Sequence, residues 1–236
     1  MRLRTNLLTL TLSILMHLRP VVFLFICPLA LLFICTFTLL SCAEDDEEAY
    51  PSLITELAMA ESDAQGLMTT FTPDGGPTYK VLNSIKGMPP NSRLRVLVGY
   101  VKEQKPTSST LQASVYKAQE VPILWDFTNI PSMKRDPTGI QSAWLSGGFI
   151  NLHLTPKTHG GKQAWGFTQD SVTTNALGTA THHLSLYHNQ FEDATSYTTE
   201  LYASIDLDSI AALVPNDSIH LTVPTFTGPA EWQFKR

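Results

Sequence analysis

From Leu53 to the C-terminus, apolar and polar residues alternate with a period of two, in short runs cut apart by glycine, proline, asparagine and aspartate. Such a pattern buries one face of an extended strand, whereas a helix needs apolar residues three and four apart. An all-β fold is therefore expected, with one helical turn over Asp208 to Leu213.

The strands divide into two groups. In the first, Leu53, Thr55, Leu57 and Met59 share one face of a strand that ends at the turn Ser62-Asp63-Ala64-Gln65-Gly66. Leu67 to Phe71 returns, and Pro73-Asp74-Gly75-Gly76 reverses the chain into a third strand around Tyr79 and Val81. After the break at Gly87 to Asn91, Leu94, Val96, Val98 and Tyr100 alternate with Arg93, Arg95 and Gly99, and Leu111, Ala113 and Val115 line a fifth strand. Five strands over 52–124 suit a small OB-like five-stranded barrel.

Residues 125–137, with Pro131 and Asp136-Pro137, read as a linker, and Trp125 and Phe127 are expected to pack between the two domains. Over 138–236 seven runs follow: Gly139 to Leu145, Phe149 to Thr155, Gln163 to Thr168, Thr179 to His188, Thr198 to Ile205, Ser218 to Phe226 and Glu231 to Lys235. Ile150, Leu152 and Leu154 face in while Asn151 and His153 face out, and Thr158-His159-Gly160-Gly161 reads as a hairpin turn. This is the pattern of an immunoglobulin-like β-sandwich without a disulfide.

The long apolar run before residue 42 ends in Leu39-Leu40-Ser41-Cys42, the pattern of a lipoprotein processing site. Residues 1–41 are then a signal peptide, with translation expected from Met16, whose Met16-His17-Leu18-Arg19 makes a compact basic leader. Lipidation is expected at Cys42, as a thioether to diacylglycerol with an acylated amine. At about 0.8 kcal/mol per buried methylene, two or three chains hold a protein on a membrane. A membrane-spanning helix over Pro20 to Leu40 is the competing reading. The five acids Glu44 to Glu48 make 42–51 a solvated tether, and the run resembles a sorting signal that sends lipoproteins of some Gram-negative bacteria to the cell exterior.

Removal of the leader takes three of sixteen basic residues and none of twenty-one acids, which leaves a net charge of −8. All three cysteines, Cys27, Cys35 and Cys42, lie at or before the processing site, so the folded part holds no disulfide or thiolate chemistry. With seven bases and six acids over 52–124 and no basic-aromatic cluster, nucleic-acid binding is not expected.

The candidate chemical groups are sparse. His182 and His188 share a strand face but lie about 20 Å apart at about 3.3 Å per residue, and His183 and His153 lack a third ligand, so no metal site is expected and the histidines read as surface or half-buried. Lys157-Thr158-His159-Gly160-Gly161-Lys162 suggests a phosphate cradle but lacks the spacing and the following helix. No serine sits in a nucleophile elbow. Glu192, Asp193 and Glu200 are the carboxylates left for a hydrolase, with nothing to raise a pKa. Trp144, Trp165, Tyr187, Tyr197, Tyr202 and Trp232 are expected in the sandwich core, and Tyr187, His188, Asn189, Gln190 and Phe191 form the candidate ligand-contact loop.

Ser-Leu-Ile-Thr-Glu-Leu at 52, Leu-Arg-Val-Leu-Val-Gly-Tyr at 94, Gly-Gly-Phe-Ile-Asn-Leu-His-Leu at 147, Leu-Ser-Leu-Tyr-His-Asn-Gln at 184 and Leu-Tyr-Ala-Ser-Ile at 201 resemble the NigD-like lipoproteins. The resemblance implies an OB-like domain before a β-sandwich, and brings no catalytic residue, cofactor or ligand; its link to bacteriocins rests on the family name. The expected function is that of a non-enzymatic binding module at the outer-membrane surface, meeting a glycan, peptide or envelope protein. A carboxylate-dependent hydrolase and a structural or assembly component of an envelope complex are the alternatives.

Overall fold

The computed structural model describes residues 52–103, 110–128, 130 and 132–236. The expectations for the leader, Cys42 and the acidic tether fall outside these residues. Among the described residues no helix is long and apolar enough to cross a membrane.

The first five strands, β1 (Ile54–Ser62), β2 (Met68–Pro73), β3 (Tyr79–Val81), β4 (Arg93–Lys102) and β5 (Gln112–Glu120), close into a barrel in the order β1-β2-β3-β5-β4. All pairs are antiparallel except β3 with β5, and β4 closes the ring on β1 from Ile54↔Tyr100 to Glu61↔Arg93. Gly66, at φ +73, turns β1 into β2 with the Met88 carbonyl so close that a β-carbon would overlap it.

Three rings fill the barrel. Phe71 lies 5.4 Å from Tyr79 and 4.8 Å from Tyr100, with Val96, Val98 and Val115 around them. Rings of this volume leave room only for small residues opposite, which is why Ala58 and Ala60 are what β1 buries in this core. On β1 it is thus Ala58 and Ala60 that point into the barrel, while of the residues sharing the other face Leu53 is 58% exposed, Thr55 is exposed and Leu57 is buried. Alternation alone did not mark this inward face, because alanine carries a weak apolar signal beside leucine and methionine.

The rest of the chain builds a sandwich from β6 (Trp125–Asp126), β7 (Gly139–Ser146), β8 (Phe149–Thr155), β9 (Lys157–Thr158), β10 (Ala164–Thr174), β11 (Ala180–Asn189), β12 (Tyr197–Thr198), β13 (Leu201–Asp206), β14 (Ser218–Thr225) and β15 (Gly228–Lys235). One sheet runs β15-β14-β11-β10-β6 and the facing one β13-β8-β7, with β12 and β9 as a small pair. The helical turn is a 3-10 turn at Leu207–Ser209, capped by the Asp206 side chain.

Between the sheets lie Ile150, Leu152, Leu154, Phe167, Leu184, Leu186, Ile205, Ile219 and Leu221, all at most 1% exposed. The sandwich stands, but β11 pairs parallel with β14 and β10 with β6, so its larger sheet departs from the wholly antiparallel immunoglobulin pattern. The turn at 158–161 is not a hairpin either: β8 and β10 belong to different sheets, so that segment crosses between layers.

Trp125 and Phe127 do not pack between the domains as expected. Trp125 is 76% exposed, while Phe127 packs on Tyr187 at 4.6 Å and over Gly166, on the outer side of the larger sheet.

Candidate functional site

The outward face of the sheet β13-β8-β7 carries, row by row, Trp144 beside Asn151 and Ser204, with His153 beside Tyr202 two positions along. Part of this face is covered by the barrel. Asn151 and Ser204 are fully buried there, so Asn151 faces out of its sheet as expected, but into the barrel contact and not into solvent.

The covering contact is polar. Arg95, on the outer side of β4, is 1% exposed; its Nη2 donates to Asp74 Oδ2 at 2.6 Å and to Asn151 Oδ1 at 2.8 Å, its Nη1 to Asp74 Oδ1, and its Nε to Ser204 Oγ at 3.3 Å. Its guanidinium also lies 4.1 Å from the Phe149 ring centroid. Asp74 in turn accepts from Ser146 Oγ at 2.6 Å, and Ser204 Oγ donates to Asn151 Oδ1 at 2.7 Å. All three guanidinium nitrogens thus reach an acceptor, the condition for burying a charge. The connection after β5 adds backbone bonds on the same side: Val121 N–H to Arg95 O at 2.8 Å and Leu124 N–H to Ser204 O at 2.8 Å.

Beside this latch a cleft of about 800 Å³ opens. Trp144 and Tyr202 form its floor on the sandwich side; Glu56, Leu57, Leu97, Tyr100 and Lys102 form the barrel wall; Pro73 to Pro77 form the rim, with Asp74 shared by rim and latch. The floor is stiffened from the side, where His153 stacks on Tyr202 at 4.3 Å and 15°.

In the wall, Tyr100 Oη donates to Glu56 Oε2 at 3.2 Å. Burial, reinforced by the charge and hydrogen bond of Glu56, pushes the Tyr100 hydroxyl far above its usual pKa, so it remains a donor. Lys102 Nζ stands 5.8 Å over the Tyr79 ring.

The expected core roles of Trp144 and Tyr202 are corrected by this geometry, since both stand on the face opposite to Ala143, Leu145, Leu201 and Ala203. Tyr197 is also outside the core, 53% exposed, whereas Trp165 and Trp232 do pack against it. Glu56, Tyr100 and Lys102 escaped sequence reasoning because the barrel strands reveal only which positions alternate, not which end of the barrel meets the second domain.

The candidate loop is dispersed by the fold. Tyr187 and His188 belong to β11 and are buried, at 8% and 1% exposure. His188 stacks on Trp165 at 3.8 Å, with Nδ1 3.0 Å from the Asp136 carbonyl and Nε2 3.1 Å from Gln163 Oε1, and burial lowers its pKa. His182 is fully buried too, 3.2 Å from Asp217 Oδ2, so these two histidines bound the buried row of β11 and are not surface or half-buried groups. Asn189 and Gln190 shape the turn: Asn189 Oδ1 accepts from Phe191 N–H, and Gln190 N–H donates to Asp136. Phe191 alone projects, 58% exposed, beside a shallow depression of about 690 Å³.

That depression contains the segment that suggested a phosphate cradle. The anion it holds is its own Asp193: the Thr158 hydroxyl and Gln163 Nε2 donate to Oδ2, and the His159 and Gly161 N–H groups to Oδ1. The Thr158 hydroxyl, then the His159 N–H, then Gln163 and Gly161, hold the carboxyl down at about 2. A general acid needs the opposite displacement. Glu200 stands 67% exposed, 3.9 Å from His153 Nε2. Among the described residues no three metal-ligating side chains converge.

Residues 123–236 match the family model of the NigD-like C-terminal beta sandwich domain. The chain carries a NigD-like domain. The crystal structure of a NigD-like immunity protein from Bacteroides caccae aligns with a TM-score of 0.61 at 24% identity, over 79% of this chain and 98% of that one. A protein from Parabacteroides distasonis, provisionally described as toxin-related, aligns at 0.59 and 14% identity over 78% and 93% of the two chains. One from Bacteroides fragilis, provisionally described as a lipoprotein, aligns at 0.55 and 12% identity over 78% and 96%. At these identities the likeness is one of fold, and its span reaches beyond the NigD-like domain into the barrel. No curated protein matches the sequence significantly.

Proposed function

We propose that this protein is a non-enzymatic binding module, anchored through lipidated Cys42 in the outer membrane and facing the cell exterior, which takes its ligand in the cleft between the barrel and the NigD-like domain. The cleft carries the proposal: about 800 Å³, between barrel and sandwich, with aromatic side chains and a few polar groups in its lining. Asp193, held down at about 2 by four donors, has no proton to deliver as a general acid, which favours binding over acid-assisted hydrolysis at that loop. The processing-site pattern at Leu39-Leu40-Ser41-Cys42 and the acids after it support the address. So does the likeness in fold to the Bacteroides fragilis protein. The name of the Bacteroides caccae structure, an immunity protein, fits a molecule that acts by holding a partner.

Two measurements test this. Mass spectrometry of the purified N-terminus should give a diacylated or triacylated Cys42, and protease added to intact cells should remove the folded part; an unmodified or upstream N-terminus sinks the address. A photoreactive amino acid placed at Lys102 should crosslink a ligand or partner on living cells, while one placed at Leu177, 90% exposed and outside the cleft, should not. Equal yields at both positions would sink the cleft.

A further inference from the structure

Resting on that assignment of the cleft, we infer that its ligand is a neutral saccharide. The floor presents aromatic side chains. Trp144 and Tyr202 stand on β7 and β13 on either side of the central strand β8, whose edges are both paired, so what meets a ligand there is aromatic surface rather than backbone. Flat aromatic surface held on rigid strands suits the C–H face of a pyranose, and the His153 stack fixes the Tyr202 plane in advance.

The wall supplies the polar half of the site. Glu56 offers carboxylate acceptors and Lys102 offers donors, which is what a row of hydroxyls needs, since each hydroxyl both gives and accepts. Tyr100 holds Glu56 in place from inside the barrel. The charges cancel: Asp74 is paired with Arg95, and Glu56 faces the cleft together with Lys102. An anionic polymer or a basic peptide finds no complementary field there, whereas a neutral polyhydroxyl ligand needs none. The volume lies within the ~300–1,000 Å³ of small-ligand sites, which suits a short oligosaccharide or a chain end.

The test uses the full-length protein in detergent and calorimetric titration with defined neutral di- to tetrasaccharides of glucose, galactose, mannose and N-acetylglucosamine. At least one should bind. Trp144→Ala and Glu56→Gln should each weaken that binding about tenfold or more, Trp144→Phe should weaken it less, and Leu177→Ser should leave it unchanged. Trp144→Phe keeps a ring on the strand, so it serves as the folded comparison if the alanine variant melts. The inference is overturned if no saccharide in the panel binds at millimolar concentration, or if binding survives Trp144→Ala and Glu56→Gln unchanged. A peptide crosslinked from Lys102 on cells, with the panel silent, would overturn the saccharide and keep the cleft; silence of the panel and of the crosslinker would overturn both.

Discussion

Arg95 and Asp74 form an ion pair in which the arginine side chain is wholly buried and the aspartate is 10% exposed, although one comes from the middle of a strand and the other from a turn between strands. The pair lies within the barrel, but its remaining hydrogen bonds go to Asn151, Ser204 and Ser146 of the sandwich. It therefore fixes the turn that rims the cleft against the sheet that floors it. Removing one partner of such a pair strands a charge in a place water cannot reach.

Asp74→Leu should accordingly cost about 3–5 kcal/mol, as should Arg95→Met, while the double variant that combines the two should cost well under the sum. Urea denaturation of the four proteins gives the coupling. Additive losses would mean that the pair does not act as a unit.

Gly147 and Gly148 separate a steric effect from a conformational one. Both have positive φ, +60 and +83, but a β-carbon on Gly147 would overlap the Asp74 carboxylate while one on Gly148 meets nothing within 4 Å. Gly148→Ala should cost about 1–2 kcal/mol for the left-handed backbone alone. Gly147→Ala should cost more, since it also pushes Asp74 off Arg95. Equal melting points for the two variants would contradict the close approach.

Asp193 has a folded-state pKa of about 2 against an ordinary 3.8. A carboxylate depressed on folding contributes stability that is present above its unfolded pKa and lost as pH falls through the folded one, here from about 4 to about 2. Asp217, lowered chiefly by the Ala180 and Val214 N–H groups, acts in the same direction. Thermal midpoints recorded against pH should fall over this window, and Asp193→Asn should make the fall shallower without abolishing it. An unchanged slope would refute the role of the Thr158 and His159 donors.

His188 should titrate below the ordinary 6.5, because burial penalises its cation more than the Asp136 carbonyl favours it. The stability it contributes as a neutral ring is complete above that value and declines as pH drops through the lowered one. Imidazole resonances followed by NMR should place its midpoint below that of a denatured control, with Trp165 emission changing in step. A midpoint above 6.5 would reverse the assignment.

The strands were readable in advance wherever the side chains facing a core are large. Leu94, Val96, Val98 and Tyr100 announced their face in β4, and Ile150, Leu152 and Leu154 theirs in β8. Ala58 and Ala60 did not, because their inward role depends on Phe71, Tyr79 and Tyr100 already occupying the barrel. The sequence pattern also places Arg95 and Asn151 on outward faces, and so they are; that those faces meet each other is invisible along one strand.

By itself, the order of residues determined an all-β chain in two groups of strands, because period-two alternation and turn residues act over a few positions. Only tertiary structure decided which polar residues would be buried, that Asp193 would consume the donors of its neighbouring loop, and that Trp144 and Tyr202 would floor a cleft. The physical reason is range: alternation records whether a side chain leaves the strand on one side or the other, whereas burial and pKa depend on what arrives from 50 or 100 residues away, as Ser204 does for Arg95 across a separation of 109.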